Sequence, residues 1–303
     1  MTRKIPPVAP GRFAWDPQDV PALLTLEQAG PLHYRNIFHD PNRNGRAFGG
    51  QPMAQALVAA MHTVESDRVP ALMQVLFLQG VRIDAQVDYR VDVLQDGKRF
   101  SSRHVRGMQG DVAVLDVNFS FQVPDDMPEH QYPMAETVPA PESLASNDDI
   151  DPVLIERYER TTYSLSPRAS LDFRFVDPER ELFSPLALPR LRYWIRIKRR
   201  LPDDLRLHAA ALTYLSDYRI NHAAIGPHWP QTDDENMLYI ASLNHSVWFH
   251  MPCRADEWLL VIAEGTRAIS GRALTRALFY SLDGALVASV AQEALMARRM
   301  KQA

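Results

Sequence analysis

Residues 246–296 read SVWFHMPCRADEWLLVIAEGTRAISGRALTRALFYSLDGALVASVAQEALM, and this stretch decides the fold. An aromatic strand end at Phe249 is followed by a polar turn, an extended run and a basic alternating segment. An Asp283-Gly284 turn then leads into a last apolar strand that carries Gln292. Extended runs closed by short polar turns predict consecutive antiparallel strands. The same order occurs in residues 75–123, VLFLQGVRIDAQVDYRVDVLQDGKRFSSRHVRGMQGDVAVLDVNFSFQV, with Phe77, Gly110-Asp111 and Gln122 in the matching places. Matching features stand about 170 residues apart, so the chain is read as two copies of one antiparallel unit.

A helix precedes each set of strands. Met53, Leu57, Ala60, Met61 and Val64 form a stripe of helical spacing, and Leu207, Ala211, Tyr214, Leu215 and Tyr218 repeat it. Both segments carry small or apolar residues on most sides, as expected of a helix surrounded by protein. The expected architecture is α+β: two antiparallel sheets, each wrapped around a long helix and joined into one continuous sheet, which covers edges that would otherwise be exposed. Between the halves, VPDDMPEHQYPMAETVPAPES holds five prolines and five carboxylates without periodicity, a linker or surface strap. The domains expected are residues 1–123, a proline-rich linker or strap at 124–160, and residues 161–303.

Composition removes several classes. With 303 residues and 46% hydrophobic content the chain can fill its own core. A net charge of -4 gives no general reason to bind nucleic acid. One cysteine, Cys253, cannot form an internal disulfide, which suggests a reducing, cytoplasmic compartment. The opening MTRKIPPVAPGRFAWDP lacks the apolar stretch of a secretory signal, MARRMKQA matches no common sorting signal, and no apolar run is long enough to span a membrane. No histidine cluster, P-loop, G-x-S-x-G elbow or dinucleotide fingerprint occurs, so neither metal nor cofactor is expected.

A few polar residues stand out against apolar surroundings. Asp217 lies beside the apolar stripe of the second helix, whereas the matching position of the first is Thr63. It is either a boundary carboxylate or an acid placed in a cleft for general-base work. Gln292 shares a strand face with Ala288, Val290 and Ala294, and such an amide needs partners or a task. In IASLNHSVWFH, alternation puts Ser242, Asn244, Ser246 and Trp248 on one face and Ala241, Leu243 and Val247 on the other. Gly49-Gly50-Gln51-Pro52 opens the first helix, either as a tight turn or to let a ligand reach the backbone at Gly50 and Gln51. His222 follows Asp217 by five residues and would share a site with it only if the helix ended between them.

These residues together resemble the acyl-CoA thioesterase II family, whose fold is the double hot dog. The resemblance rests on FGGQPMAQAL (48–57), DVLQDGKRFSSRHV (92–105), NFSFQVP (118–124), LPDDLRLHAAALTYLSDY (201–218), IASLNHSVWFH (240–250) and DGALVASVAQEALM (283–296). It implies hydrolysis of acyl-CoA thioesters by a water held by Asp217, Ser242 and Gln292. Asp217 would accept the proton, and Gly50 or Gln51 would be candidate oxyanion donors. It further implies acyl-CoA as substrate and leaves room for a homodimer or homotetramer; the phosphates of coenzyme A would need local cations, for which Lys98, Arg99 and Arg103 are candidates in this sequence. Asn244 replaces the family's usual acid, and Gln79-Gly80 stand where it usually has Arg-Pro. Hydration of an enoyl-CoA, dehydration of a 3-hydroxyacyl-CoA, and acyl-CoA binding with little catalysis are the alternatives.

Overall fold

The computed structural model describes residues 13–42, 44–131, 133–134, 137–146, 149, 153, 168–184, 188–231 and 238–298. Residues 1–12 and 299–303 of the terminal runs read above for sorting signals, and much of 147–160, lie outside the described residues. The chain forms two compact units, residues 1–126 with 201–217 and residues 127–200 with 218–303. Among the described residues no helix is long and apolar enough to cross a membrane.

The first unit contains strands β1 (Leu26–Gly30), β2 (His33–Asn36), β3 (Val69–Phe77), β4 (Asp88–Asp96), β5 (Phe100–Gln109) and β6 (Val112–Gln122). Their spatial order is β1-β2-β4-β5-β6-β3, with antiparallel neighbours throughout. Period-two alternation turns Leu115, Val117, Phe119 and Phe121 of β6 to the core. After the short helix α1 (Val20–Leu24), the central helix α2 (Gly50–Met61) is buried on every side except at Val58. Its polar residues are satisfied inside the protein. Gln55 Nε2 donates to the Leu23 carbonyl at 2.6 Å, and Tyr89 Oη donates to Gln55 Oε1 at 2.8 Å.

The second long helix, α3 (Leu205–Ser216), belongs to this same unit and lies antiparallel to α2. Asp204 caps its start through the N–H groups of Arg206 and Leu207. Arg206 reaches the far end of α2, donating to the carbonyls of Met61 at 2.7 Å and Glu65 at 2.6 Å. A cation there suits the negative end of α2.

The second unit contains β7 (Leu171–Phe175), β8 (Arg190–Ile197), β9 (Leu238–Phe249), β10 (Leu259–Ile269), β11 (Arg272–Ser281) and β12 (Leu286–Arg298), in the spatial order β9-β12-β11-β10-β8-β7. The order β3-β6-β5-β4 of the first unit thus recurs as β9-β12-β11-β10, which is the duplication read in the sequence. Helix α4 (His222–Ile225) packs on one face, close enough that a Cβ on Gly265 would stand 2.8 Å from Ala224 Cα. The other face carries Trp194, Trp258, Leu260 and Tyr280, against which Met134, Val138 and Leu144 of the proline-rich run pack as a strap. Trp194 Nε1 donates to the Pro139 carbonyl at 3.0 Å, and Gln131 bonds the backbone of Gly284 and Leu286.

Candidate active site

The register of the second sheet explains where Gln292 stands. Gly265, Thr275, Gln292 and His245 are successive cross-strand partners on β10, β11, β12 and β9, and all of them face inward. Gln292 and His245 are fully buried. Between Glu293 and Ala294 the pairing with β9 shifts, so that Glu293 opposes Asn244 while Ala294 opposes Ser242. Leu243 is the extra residue of a β-bulge. Strict alternation had grouped Ser242 with Asn244; the bulge corrects this by turning Ser242 onto the inner face.

Gln292 Nε2 donates to Ser242 Oγ at 2.8 Å, and Gln292 Oε1 accepts from His245 Nδ1. Asn244 occupies the opposite face and exchanges hydrogen bonds with Glu293, at 3.2 Å from Asn244 Nδ2 to Oε2 and 3.2 Å from the Glu293 N–H to Oδ1. Arg272 pairs with the same carboxylate at 2.8 Å. An amide at position 244 therefore complements Glu293, and its departure from the family's acid falls on the face away from Ser242 and Gln292.

Burial lowers the pKa of His245 to about 4, against the opposing effect of its hydrogen bond to Gln292. The folded protein therefore favours the neutral ring. That contribution to stability is complete above pH 6.5, the ordinary histidine value, and is lost as the pH falls towards 4. Replacing His245 with Phe is expected to flatten this part of the stability curve, measured by urea unfolding between pH 7 and 4. His222, held low by burial and the Arg219 charge, is present in both proteins and cancels in the comparison. Equal slopes would contradict the assignment.

Asp217 belongs to the first unit. Helix α3 ends at Ser216, and Asp217 is its C-cap residue, with only 8% of its surface exposed. A carboxylate at the negative end of its own helix is unfavourable, but this one lies at the start of α2, where the helix dipole favours an anion. Its Oδ2 is 2.6 Å from the point that a Cβ on Gly49 would occupy. Gly49 leaves room for the carboxylate. Gly50 has a different reason: its Cβ would stand 2.4 Å from the Tyr214 carbonyl, so it permits the two helices to approach. Gly50→Ala is expected to destabilise the protein by about 1–3 kcal/mol through overpacking against backbone. A lowered urea midpoint checks this; an unchanged midpoint would contradict it.

Gln51 is already engaged. Its N–H donates to the Phe48 carbonyl at 3.0 Å, its Oε1 accepts from the Asp40 N–H at 2.7 Å, and its Nε2 donates to the Phe38 carbonyl at 2.9 Å. Tyr214 Oη closes this network on Asp40 Oδ2 at 2.9 Å. Gln51 thus fixes the loop before α2, and of the two candidate oxyanion donors it leaves Gly50. Arg103 is likewise structural. It is buried, bonded to Thr63 and the Gln95 and Ser102 carbonyls, and paired with Asp96 at 2.9 Å. The expectation that it meets phosphates is corrected: Arg103 is a core arginine held by Thr63, just beyond the end of α2. At Gln79-Gly80, Arg46 Nη1 donates to the Gly80 carbonyl at 3.4 Å, so a cation stands at this turn from another part of the chain. Cys253 is no nucleophile, because burial and Glu257 push its thiol up to about 12.

An antiparallel sheet over a central helix, with its strand order repeated, is a double hot-dog fold, and a hot-dog-fold protein from Alicyclobacillus acidocaldarius shares it with a TM-score of 0.74 at 18% identity over 93% of this chain and 98% of that one. The family profile described as acyl-CoA thioesterase matches residues 175–295, and the acyl-CoA thioesterase N-terminal domain matches residues 38–122. Acyl-CoA thioesterase 2 of Haemophilus influenzae is 31% identical over 279 residues, which is 90% of this chain and 95% of that protein. The acyl-CoA thioesterase II TesB2 of Mycobacterium marinum superposes with a TM-score of 0.76 at 29% identity, covering 92% of this chain and 98% of that one. The chain belongs to the acyl-CoA thioesterase family, and its enzyme class is thioester hydrolase.

Proposed function

We propose that the chain hydrolyses acyl-CoA thioesters with one water served by Asp217, Ser242 and Gln292. The observation that carries this reading is the hydrogen-bonded chain from buried His245 through buried Gln292 to half-buried Ser242, on a face otherwise made of apolar and small residues. Asp217 takes a proton from the water as its oxygen attacks the thioester carbonyl. Ser242 Oγ accepts from Gln292, so its own proton is directed onward, and Gln292 Nε2 has a second N–H. These two donors hold the attacking oxygen. The Gly50 N–H, at the start of α2, is the proposed donor to the oxyanion. Collapse of the tetrahedral intermediate breaks the C–S bond, and the proton held by Asp217 passes to the leaving thiolate, giving free acid and coenzyme A. The single Cys253 supports a reducing, cytoplasmic setting.

A thiol-release screen of the purified chain over short, medium, long and branched acyl-CoAs tests the reading. Release of free thiol from at least one class is expected. Crotonyl-CoA is the discriminating member, since hydration would preserve its thioester while hydrolysis frees the thiol. Hydrated product without thiol would replace this reading with the hydratase one.

A further inference from the structure

We propose that His245 is a positioning residue for this hydrolysis: its ring N–H holds the Gln292 carbonyl oxygen, so that Gln292 turns N–H rather than C=O towards Ser242. The inference rests on the functional reading just given. A glutamine amide has nearly the same shape in both flip states, so packing alone does not choose between them. In the structure Gln292 Oε1 faces His245 and Nε2 faces Ser242; an amide oxygen can only accept, so this orientation requires the proton on Nδ1 of His245 and leaves Gln292 Nε2 to donate to Ser242 Oγ.

The consequence is directional. With the proton on Nδ1, hydrogen bonds run from His245 to Gln292 to Ser242, and the serine proton points onward. With the amide flipped, Ser242 would donate back to a carbonyl oxygen, and His245 would have to offer a bare Nδ1. Donors at the attacking oxygen exist only in the first arrangement. Register builds it in: His245 is the direct cross-strand partner of Gln292, and the bulge at Leu243 brings Ser242 onto their face. The ring is buried and stays neutral over the working range, so it acts by geometry and not by exchanging a proton with substrate.

The test compares wild type, His245→Phe, His245→Asn, Gln292→Ala and the double variant His245→Phe/Gln292→Ala in thiol release. Phe keeps the ring without the donor, whereas Asn presents an N–H near the position of Nδ1. His245→Phe is expected to lower kcat about 30-fold or more with KM within about threefold, and His245→Asn to stay within about fivefold of wild type. In the Gln292→Ala background, His245→Phe should cost less than about threefold further, because the group it positions is gone. Nitrogen NMR of wild type should show the Nδ1–H tautomer of His245 from pH 5.5 to 8, a readout that needs no variant to fold. An active wild type with an undiminished His245→Phe, an Asn variant as slow as Phe, fully multiplicative losses, or the Nε2–H tautomer would each overturn the proposal. A wild type that releases no thiol overturns the functional reading itself, and this inference with it.

Discussion

Gln292→Ala and Asp217→Asn are each expected to lower kcat for acyl-CoA hydrolysis by about 10²-fold or more, with the fold retained. The two losses arise differently. Asparagine fills the space beside Gly49 but cannot take a proton from water. Alanine at 292 removes the donor to Ser242 and the acceptor for His245 together. It also leaves buried polar groups without their partner, at about 1–3 kcal/mol of stability, so a lower urea midpoint should accompany its slow turnover. Steady-state thiol release on purified, folded variants checks both. Near-normal rates in either would remove that residue from the chemistry.

Gly49→Ala should separate activity from stability. The added methyl meets Asp217 Oδ2 at 2.6 Å, the end of a side chain that can rotate away, whereas Gly50→Ala meets the Tyr214 backbone. Position 49 therefore yields by moving the carboxylate, and a misplacement of about 1 Å is enough to cost about 10²-fold in rate. Gly49→Ala should be slow with a nearly unchanged unfolding midpoint, the reverse of Gly50→Ala. The pair of measurements, kcat and urea midpoint on both variants, decides it. A fast Gly49→Ala would mean that the carboxylate's position at the start of α2 is not what the reaction uses.

Much of this fold was legible because its signals are local. Period-two runs in β4, β5, β6, β10, β11 and β12, with their Gly and Asp turns, mark strands from neighbouring residues alone, and the apolar stripes mark α2 and α3. The unit to which α3 belongs was not legible, since a helix that is apolar on most sides does not state which elements surround it. The strap was visible as composition, but not the tryptophan face it covers. Gln292 stands out in the sequence because an amide among Ala288, Val290 and Ala294 breaks an apolar pattern. His245 breaks the pattern of Leu243 and Val247 in the same way; the signal was present and went unused. Alternation groups Ser242 with Asn244 on one face, and a bulge separates them, because the backbone shift at Leu243 leaves no mark in residue type. The glycines were read as a turn or a ligand approach, and their main task, making room for Asp217 and Tyr214, depends on a helix more than 150 residues away.

The central claim is that an acid from α3 and an amide from β12 act on a single water. The most direct measurement is the turnover of the double variant Asp217→Asn/Gln292→Ala beside the two single variants. Groups that serve one water fail as a unit, so the double variant should be no more than about threefold slower than the slower single variant. Losses that multiply in full, as for residues acting on independent steps, would contradict it.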